Sequence, residues 1–122
     1  MQDGQFIGFT GLNPFSGLPI EDGVEVAWRL TRAAWGHGYA SEAARRVLQF
    51  AFEKLPLQAI DSFTAKSNVR SIAVMQRLGM TDVGRTFLHP HVAEDSPLRE
   101  HVLYRITREQ WRAAVVAARQ RD

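Results

Sequence analysis

The chain has 122 residues, 45% of them hydrophobic and 23% charged, which is one domain's worth with a buried core and not a disordered tail. It has no cysteine, which excludes disulfides, thiolate metal sites and a cysteine nucleophile and suits a cytoplasmic protein. The net charge is +2 and the pI about 9.5, with no long apolar run, no secretory pattern and no aromatic-interleaved basic repeat, so neither a membrane nor nucleic acid is an expected partner.

Gln5 to Leu12 (QFIGFTGL) reads as a strand with apolar side chains on both faces. NPFSGLPIEDG follows as a loop rich in proline and glycine. Val24 to Thr31 alternates Val24, Val26, Trp28 and Leu30 against Glu25, Ala27 and Arg29, the pattern of a half-buried strand. Ala40, Ala43, Ala44, Val47, Leu48, Ala51 and Leu55 recur at helical spacing until Pro56. Ala59 to Ala65 is a short strand. Asn68 then caps a helix with the stripe Ile72, Met75 and Leu78, ended by Gly79. Two further strands are expected at Thr81–Leu88 and Glu100–Ile106. Thr107 caps a closing helix whose arginines (Arg108, Arg112, Arg119, Arg121) read as a solvated face. The order β-β-α-β-α-β-β-α implies a parallel crossover between the second and third strands and an antiparallel final pair.

The turn WGHGYASEA puts Gly36 and Gly38 just ahead of the first helix. A helix N-terminus exposes unpaired N–H groups and partial positive charge. Glycines ahead of it remove the Cβ atoms that would keep a phosphate from those donors. Small Ala40 and Ser41 fill the first turn, and the Ser41 hydroxyl is a further donor. A P-loop is excluded because no Gly-Lys-Ser/Thr follows. A dinucleotide fingerprint is disfavoured because Ser41 stands at its third glycine and Asp61 lies near the start of the next strand. Packing or simple turn chemistry is the other reading of these glycines.

In three segments the chain resembles a GCN5-related N-acetyltransferase of the RimJ/RimL-like branch, which acetylates ribosomal-protein N-termini and similar amines. VEVAWRL looks like that fold's fourth strand. RAAWGHGYASEAARRVLQFAF looks like its pyrophosphate loop and helix, and NVRSIAVMQRLGM like its Asn-x-x-Ser…Leu-Gly-Met helix. LREHVLYRITREQW also resembles the closing strand and helix. The resemblance implies an α/β (α+β) acyl-CoA N-acyltransferase fold spanning residues 1–122. Its sheet is mixed and mostly antiparallel, with a splayed central parallel pair and helices on both faces. It implies acetyl-coenzyme A as co-substrate, an amine acceptor and no metal. Arg32, Trp35, Gly36, His37, Gly38, Tyr39, Ala40 and Ser41 would face the pyrophosphate. The strand edge at Trp28, Arg29 and Leu30 would pair with the pantetheine arm. Asn68 and Ser71 match the motif that contacts that arm, and Arg70 would reach the 3′-phosphate.

For the chemistry, direct attack by an amine needs a base for its proton and a donor for the oxyanion. Glu25, on the splayed strand, is the first candidate base, with a solvent-facing role as the alternative. His101 is the second candidate base, Ser71 the proton donor to the leaving thiolate, and an N–H near Trp28 or Arg29 the oxyanion donor. His89, His91 and His101, with Glu94, Asp95 and Glu100 nearby, raise a metal site, yet Pro90 separates the first two and no HExxH or second carboxylate spacing supports it. Trp28, Trp35 and Phe50 read as core or pocket wall. Measured against the family pattern, the chain is expected to lack an N-terminal strand, two helices and a second strand. That expectation leaves the edge of the first strand unpaired and a homodimer to cover it.

Overall fold

The structure, a computed structural model, describes residues 8–30 and 38–120, with side chains for 10–28 and 38–117. In chain order the elements are β1 (Gly8–Phe15), β2 (Gly23–Leu30), α1 (Tyr39–Lys54), β3 (Ala59–Ala65), α2 (Val69–Arg77), β4 (Thr81–Leu88), β5 (Glu100–Thr107) and α3 (Arg108–Gln120). This is the order expected from the sequence. The strands form one sheet, β1-β2-β3-β5-β4, with β2 and β3 parallel and the other neighbours antiparallel. Three helices and this mixed five-stranded sheet make an α+β fold.

The end of β1 differs from expectation, while Gln5 to Ile7 of that expected strand lie outside the described residues. β1 runs on through Pro14 to Phe15, a stretch read from sequence as loop, with Pro14 opposite Val24. An edge strand accepts a proline because its outward positions need no ladder N–H.

Side chains alternate across the sheet and build two apolar clusters. On one face Val26, Ile60 and Ile106 meet Ala44, Leu48 and Phe52 of α1 and Val74, Met75 and Leu78 of α2. Trp111 of α3 joins them, its ring 5.4 Å from that of Phe52. On the other face Ile20, Phe87 and Leu103 pack with Phe15, Leu18 and Phe63. Helices on both faces were the expectation. All three described helices instead feed the first cluster, and the loop from Ser16 to Asp22 contributes Leu18 and Ile20 to the second. The buried line of α1 also differs. Ala44, Leu48 and Phe52 follow one another at a spacing of four, so Phe52 is buried while Phe50, expected in the core or a pocket wall, is 56% exposed, and Leu55 sits at the C-cap.

Arg108 corrects a further expectation. Its guanidinium does not stand on a solvated face but donates to the carbonyls of Leu57 at 2.9 Å, Leu55 at 2.7 Å and Phe52. It also lies 5.5 Å from the centre of the Phe52 ring. These carbonyls at and beyond the end of α1 would otherwise need water. Arg108 follows Thr107, whose Oγ1 accepts from the Gln110 N–H at 3.2 Å while Gln110 Oε1 accepts from the Thr107 N–H at 2.9 Å, a reciprocal cap of α3. Arg108→Ala is expected to lower unfolding stability by about 2 kcal/mol through the lost charged hydrogen bonds. A urea titration of variant and parent measures it.

Candidate active site

The site begins where the parallel pair parts. β1 and β2 pair from Gly8 opposite Leu30 to Phe15 opposite Gly23, but β2 and β3 meet only at Glu25 opposite Asp61. Beyond that bridge no ladder joins the two strands among the described residues. Just past it, the buried Ser62 hydroxyl donates to the Val26 carbonyl at 3.2 Å. The backbone of Trp28, Arg29 and Leu30 therefore borders an open fork on the β3 side. β2 and β3 run parallel, and each is followed in the chain by a helix, α1 and α2.

At the start of α1, Gly38 is the N-cap with φ 72°, left-handed backbone, and among the described residues no side chain caps the helix. Among the described residues, a Cβ at Gly38 would meet nothing within 4 Å. Ser41, in the first turn, is 5% exposed and its hydroxyl has no hydrogen-bond partner among the described residues. Buried hydroxyls are nearly always paired. Among the described residues, an orphaned donor and a helix end without a side-chain cap together fit an anionic group at this position. Tyr39 and Ala40 lie in the same turn, Tyr39 partly exposed and Ala40 buried. Arg32, Trp35, Gly36 and His37 lie outside the described residues.

At the start of α2, Asn68 Oδ1 accepts from the Ser71 N–H at 3.2 Å, and its Nδ2 donates to Thr64 Oγ1 at 3.1 Å. Asn68 is thus the N-cap that the sequence predicts. Ser71 is half-buried in the first turn and Arg70 beside it is exposed. Trp28 is half-buried against the helical cluster.

Glu25 points to the opposite face, since its neighbour Val26 is fully buried among the helices. Along one row of the sheet stand Asn13, Glu25, Asp61, Arg105 and Thr81. Arg105 holds both oxygens of the buried Asp61, Nε to Oδ1 at 2.6 Å and Nη2 to Oδ2 at 3.2 Å. The half-buried Glu25 carboxyl is pushed above the ordinary glutamate range by loss of solvent. Gly23 leaves room beside this row. A Cβ there would sit 3.2 Å from Phe15 Cζ and 3.5 Å from Asp61 Oδ2.

His101 shares the face of Glu25 but not its neighbourhood. It stands opposite Ala65, four residues along β3 from Asp61 and so roughly 13 Å up the strand. The structure does not bring the two candidate bases together. His101 lies among Phe63, Phe87 and His89, with its ring 5.0 Å from that of His89, which in turn is 5.4 Å from His91. His101 Nδ1 is 3.1 Å from the Arg99 carbonyl, which makes Nδ1 the protonated nitrogen and leaves the Nε2 lone pair free. Burial lowers the His101 pKa, partly offset by that carbonyl. Burial and the charges of His101 and His91 lower that of His89. Both imidazoles favour the neutral form in the fold. Their contribution to stability is present above the unfolded-state histidine pKa and is lost as pH falls through the lower folded values. The melting temperature is accordingly expected to fall between pH 7 and pH 5, and less so in a His89→Phe variant. Scanning calorimetry across that range tests this. Among the described residues no group of three or more histidine, aspartate or glutamate side chains is arranged to hold a metal ion.

The Asp61–Arg105 pair was not singled out from the sequence. Its signal was there: a lone carboxylate in the middle of the apolar strand AIDSFTA requires a buried cation, and VLYRI supplies one in phase.

A family model described as an acetyltransferase (GNAT) domain matches residues 1–81, and the chain belongs to that family. Among curated proteins it is similar to the FsC-acetyl coenzyme A-N(2)-transacetylase of Aspergillus fumigatus, 35% identical over 115 residues that cover 89% of this chain and 48% of that protein. Among solved structures it is similar to an acetyltransferase from Agrobacterium tumefaciens, 33% identical with a TM-score of 0.63 over 87% of this chain and 56% of that one. A GNAT-family acetyltransferase from Bacillus anthracis is 25% identical, with a TM-score of 0.69 over 84% of this chain and 59% of that one. The chain spans about half the length of the curated relatives it matches.

Proposed function

We propose that the protein transfers the acetyl group of acetyl-coenzyme A to a primary amine by direct attack. The observation that carries this reading is the fork between β2 and β3, together with a start of α1 where, among the described residues, no side chain caps the helix and the Ser41 hydroxyl has no partner. The diphosphate lies against the N–H groups around Gly38 to Ser41. The pantetheine arm runs along the free edge at Trp28, Arg29 and Leu30, with Asn68, Arg70 and Ser71 on the far bank. Trp35, Gly36, His37 and Arg32 complete the donor site in this reading.

A thioester in the fork has Glu25 toward one face of the sheet and Ser71 toward the helical face. The amine nitrogen forms a bond to the acetyl carbon and gives a proton to the Glu25 carboxylate, directly or through water. An N–H near Trp28 or Arg29 holds the oxyanion. The carbon–sulfur bond breaks, and the thiolate takes a proton through the Ser71 hydroxyl, which regains one from solvent as Glu25 gives its proton up to solvent. Burial suits Glu25 to the task, because a carboxylate with raised proton affinity is a stronger base near neutral pH. His101, with a free Nε2, is the second candidate for the same role.

The printed name of the fungal relative, an acetyl coenzyme A-N(2)-transacetylase, supports an amine acceptor. The RimJ/RimL-like pattern favours a protein or peptide N-terminus, with a small-molecule amine as the other acceptor class. Among the described residues the outer edge of β1 has no neighbouring strand, which favours a homodimer across that edge. A second reading is binding of coenzyme A without turnover. Calorimetric titration with acetyl-coenzyme A and release of free thiol with a panel of amines and peptides separate the two. Binding with amine-dependent thiol release supports transfer. Binding alone supports the second reading, and no binding refutes both.

A further inference from the structure

We infer that the Asp61–Arg105 pair is a positioning element for Glu25: Arg105 takes both oxygens of Asp61, so that Glu25 alone in its row keeps an uncommitted carboxylate. The inference rests on the reading of Glu25 as the base. Glu25 and Asp61 are the one bridged pair of the parallel strands, and their side chains leave the same face of the sheet. Adjacent strands lie roughly 5 Å apart, so two bare carboxylates here would repel across the bridge. Asp61 is buried and its carboxylate is committed at both oxygens.

Besides Asp61, Arg105 lies in the field of one further carboxylate on this side, Glu21. Glu21, in the loop before β2, is paired with Arg85 of β4. Asn13 of β1 is neutral, and Phe15 and Gly23 complete the surroundings. The hold on Asp61 keeps Arg105 turned to β3 and not to Glu25. An arginine free to pair with Glu25 would lower its basicity and take its lone pairs. A bare Asp61 would place a like charge beside Glu25 and raise its proton affinity. The pair therefore does two things at once: it cancels a negative charge beside the base and occupies the cation that would otherwise quench it.

The test is a carbon-13 NMR titration of the glutamate side-chain carboxyls in the full chain, with Glu25 assigned by its loss in Glu25→Gln. Arg105→Gln is expected to raise the Glu25 midpoint by roughly half a pH unit or more. Asp61→Asn is expected to lower it, and the double variant to return it toward the parent value. Arg105→Lys, which keeps the charge but not the two-point hold, should lie between parent and Arg105→Gln. If Asp61→Asn fails to fold, the two Arg105 variants decide. Single variants that leave the midpoint in place, or move it the same way, overturn the inference. The acid limb of kcat/KM for amine acetylation should follow the NMR midpoints. Midpoints that move as expected with a limb that stays still would show that the coupling exists but Glu25 is not the base, which removes the pair's catalytic meaning.

Discussion

Gly38→Val is expected to lower the affinity for acetyl-coenzyme A by more than tenfold. Two effects act together. Gly38 has φ 72°, a conformation that a β-branched residue adopts only at a cost of about 1–3 kcal/mol. The new side chain also stands at the head of α1, where a Cβ meets nothing within 4 Å among the described residues. That position is where a diphosphate would approach the first-turn N–H groups. The two effects are separable. Asparagine tolerates left-handed backbone, so Gly38→Asn is expected to keep the melting temperature close to the parent while still obstructing the approach. Calorimetric titration of both variants provides the measurement. Parent-like affinity in Gly38→Asn would mean that the helix start is not where the donor's phosphates bind. Ser41→Ala complements it. Removing an orphaned buried hydroxyl should cost no stability, yet weaken binding if that hydroxyl donates to the ligand.

Glu25→Gln is expected to reduce acetyl transfer by roughly 100- to 10,000-fold, the range for loss of a general base, with acetyl-coenzyme A affinity unchanged. In the parent, kcat/KM should rise with pH through an apparent pKa above the ordinary glutamate value, because burial raises that of Glu25. The stability effect has the opposite sense. A carboxyl whose folded pKa lies above its unfolded one stabilises the fold when protonated, and that contribution is lost as pH rises through the folded value. Glutamine mimics the protonated form. Glu25→Gln should therefore melt higher than the parent at pH 7, and the gap should close toward acid pH. A variant that is slower and more stable at once is the signature of a strained functional group. Full activity in Glu25→Gln, with activity lost in His101→Gln, would move the base to His101.

Much of this arrangement was legible in local chemistry. Asn68 and Thr107 were readable as caps because a short polar side chain before an apolar-periodic run has few other uses, and both side chains do cap. The strand Ala59–Ala65 was bounded by Pro56 and Asn68 and matches its expected limits. What escaped was long-range. Arg108 looked like its neighbours on a basic helix, and nothing local shows that it reaches back more than fifty residues in sequence to the end of α1. Asp61 and Arg105 are far apart in sequence and meet only because β3 pairs with β5. Phe50 and Phe52 are both apolar at plausible positions, and only the seating of α1 on the sheet decides which is inside. The fork itself leaves no mark on periodicity. Its expectation came from resemblance to the family.

The hydroxyl of Ser62 has a mechanical consequence. Two parallel strands that have begun to pair will go on pairing unless something interrupts the ladder. By engaging the Val26 carbonyl from a side chain, Ser62 acts as a stop just past the Glu25–Asp61 bridge and pins the vertex of the wedge. One small side chain thus ties the two strands together at the apex without extending their backbone pairing.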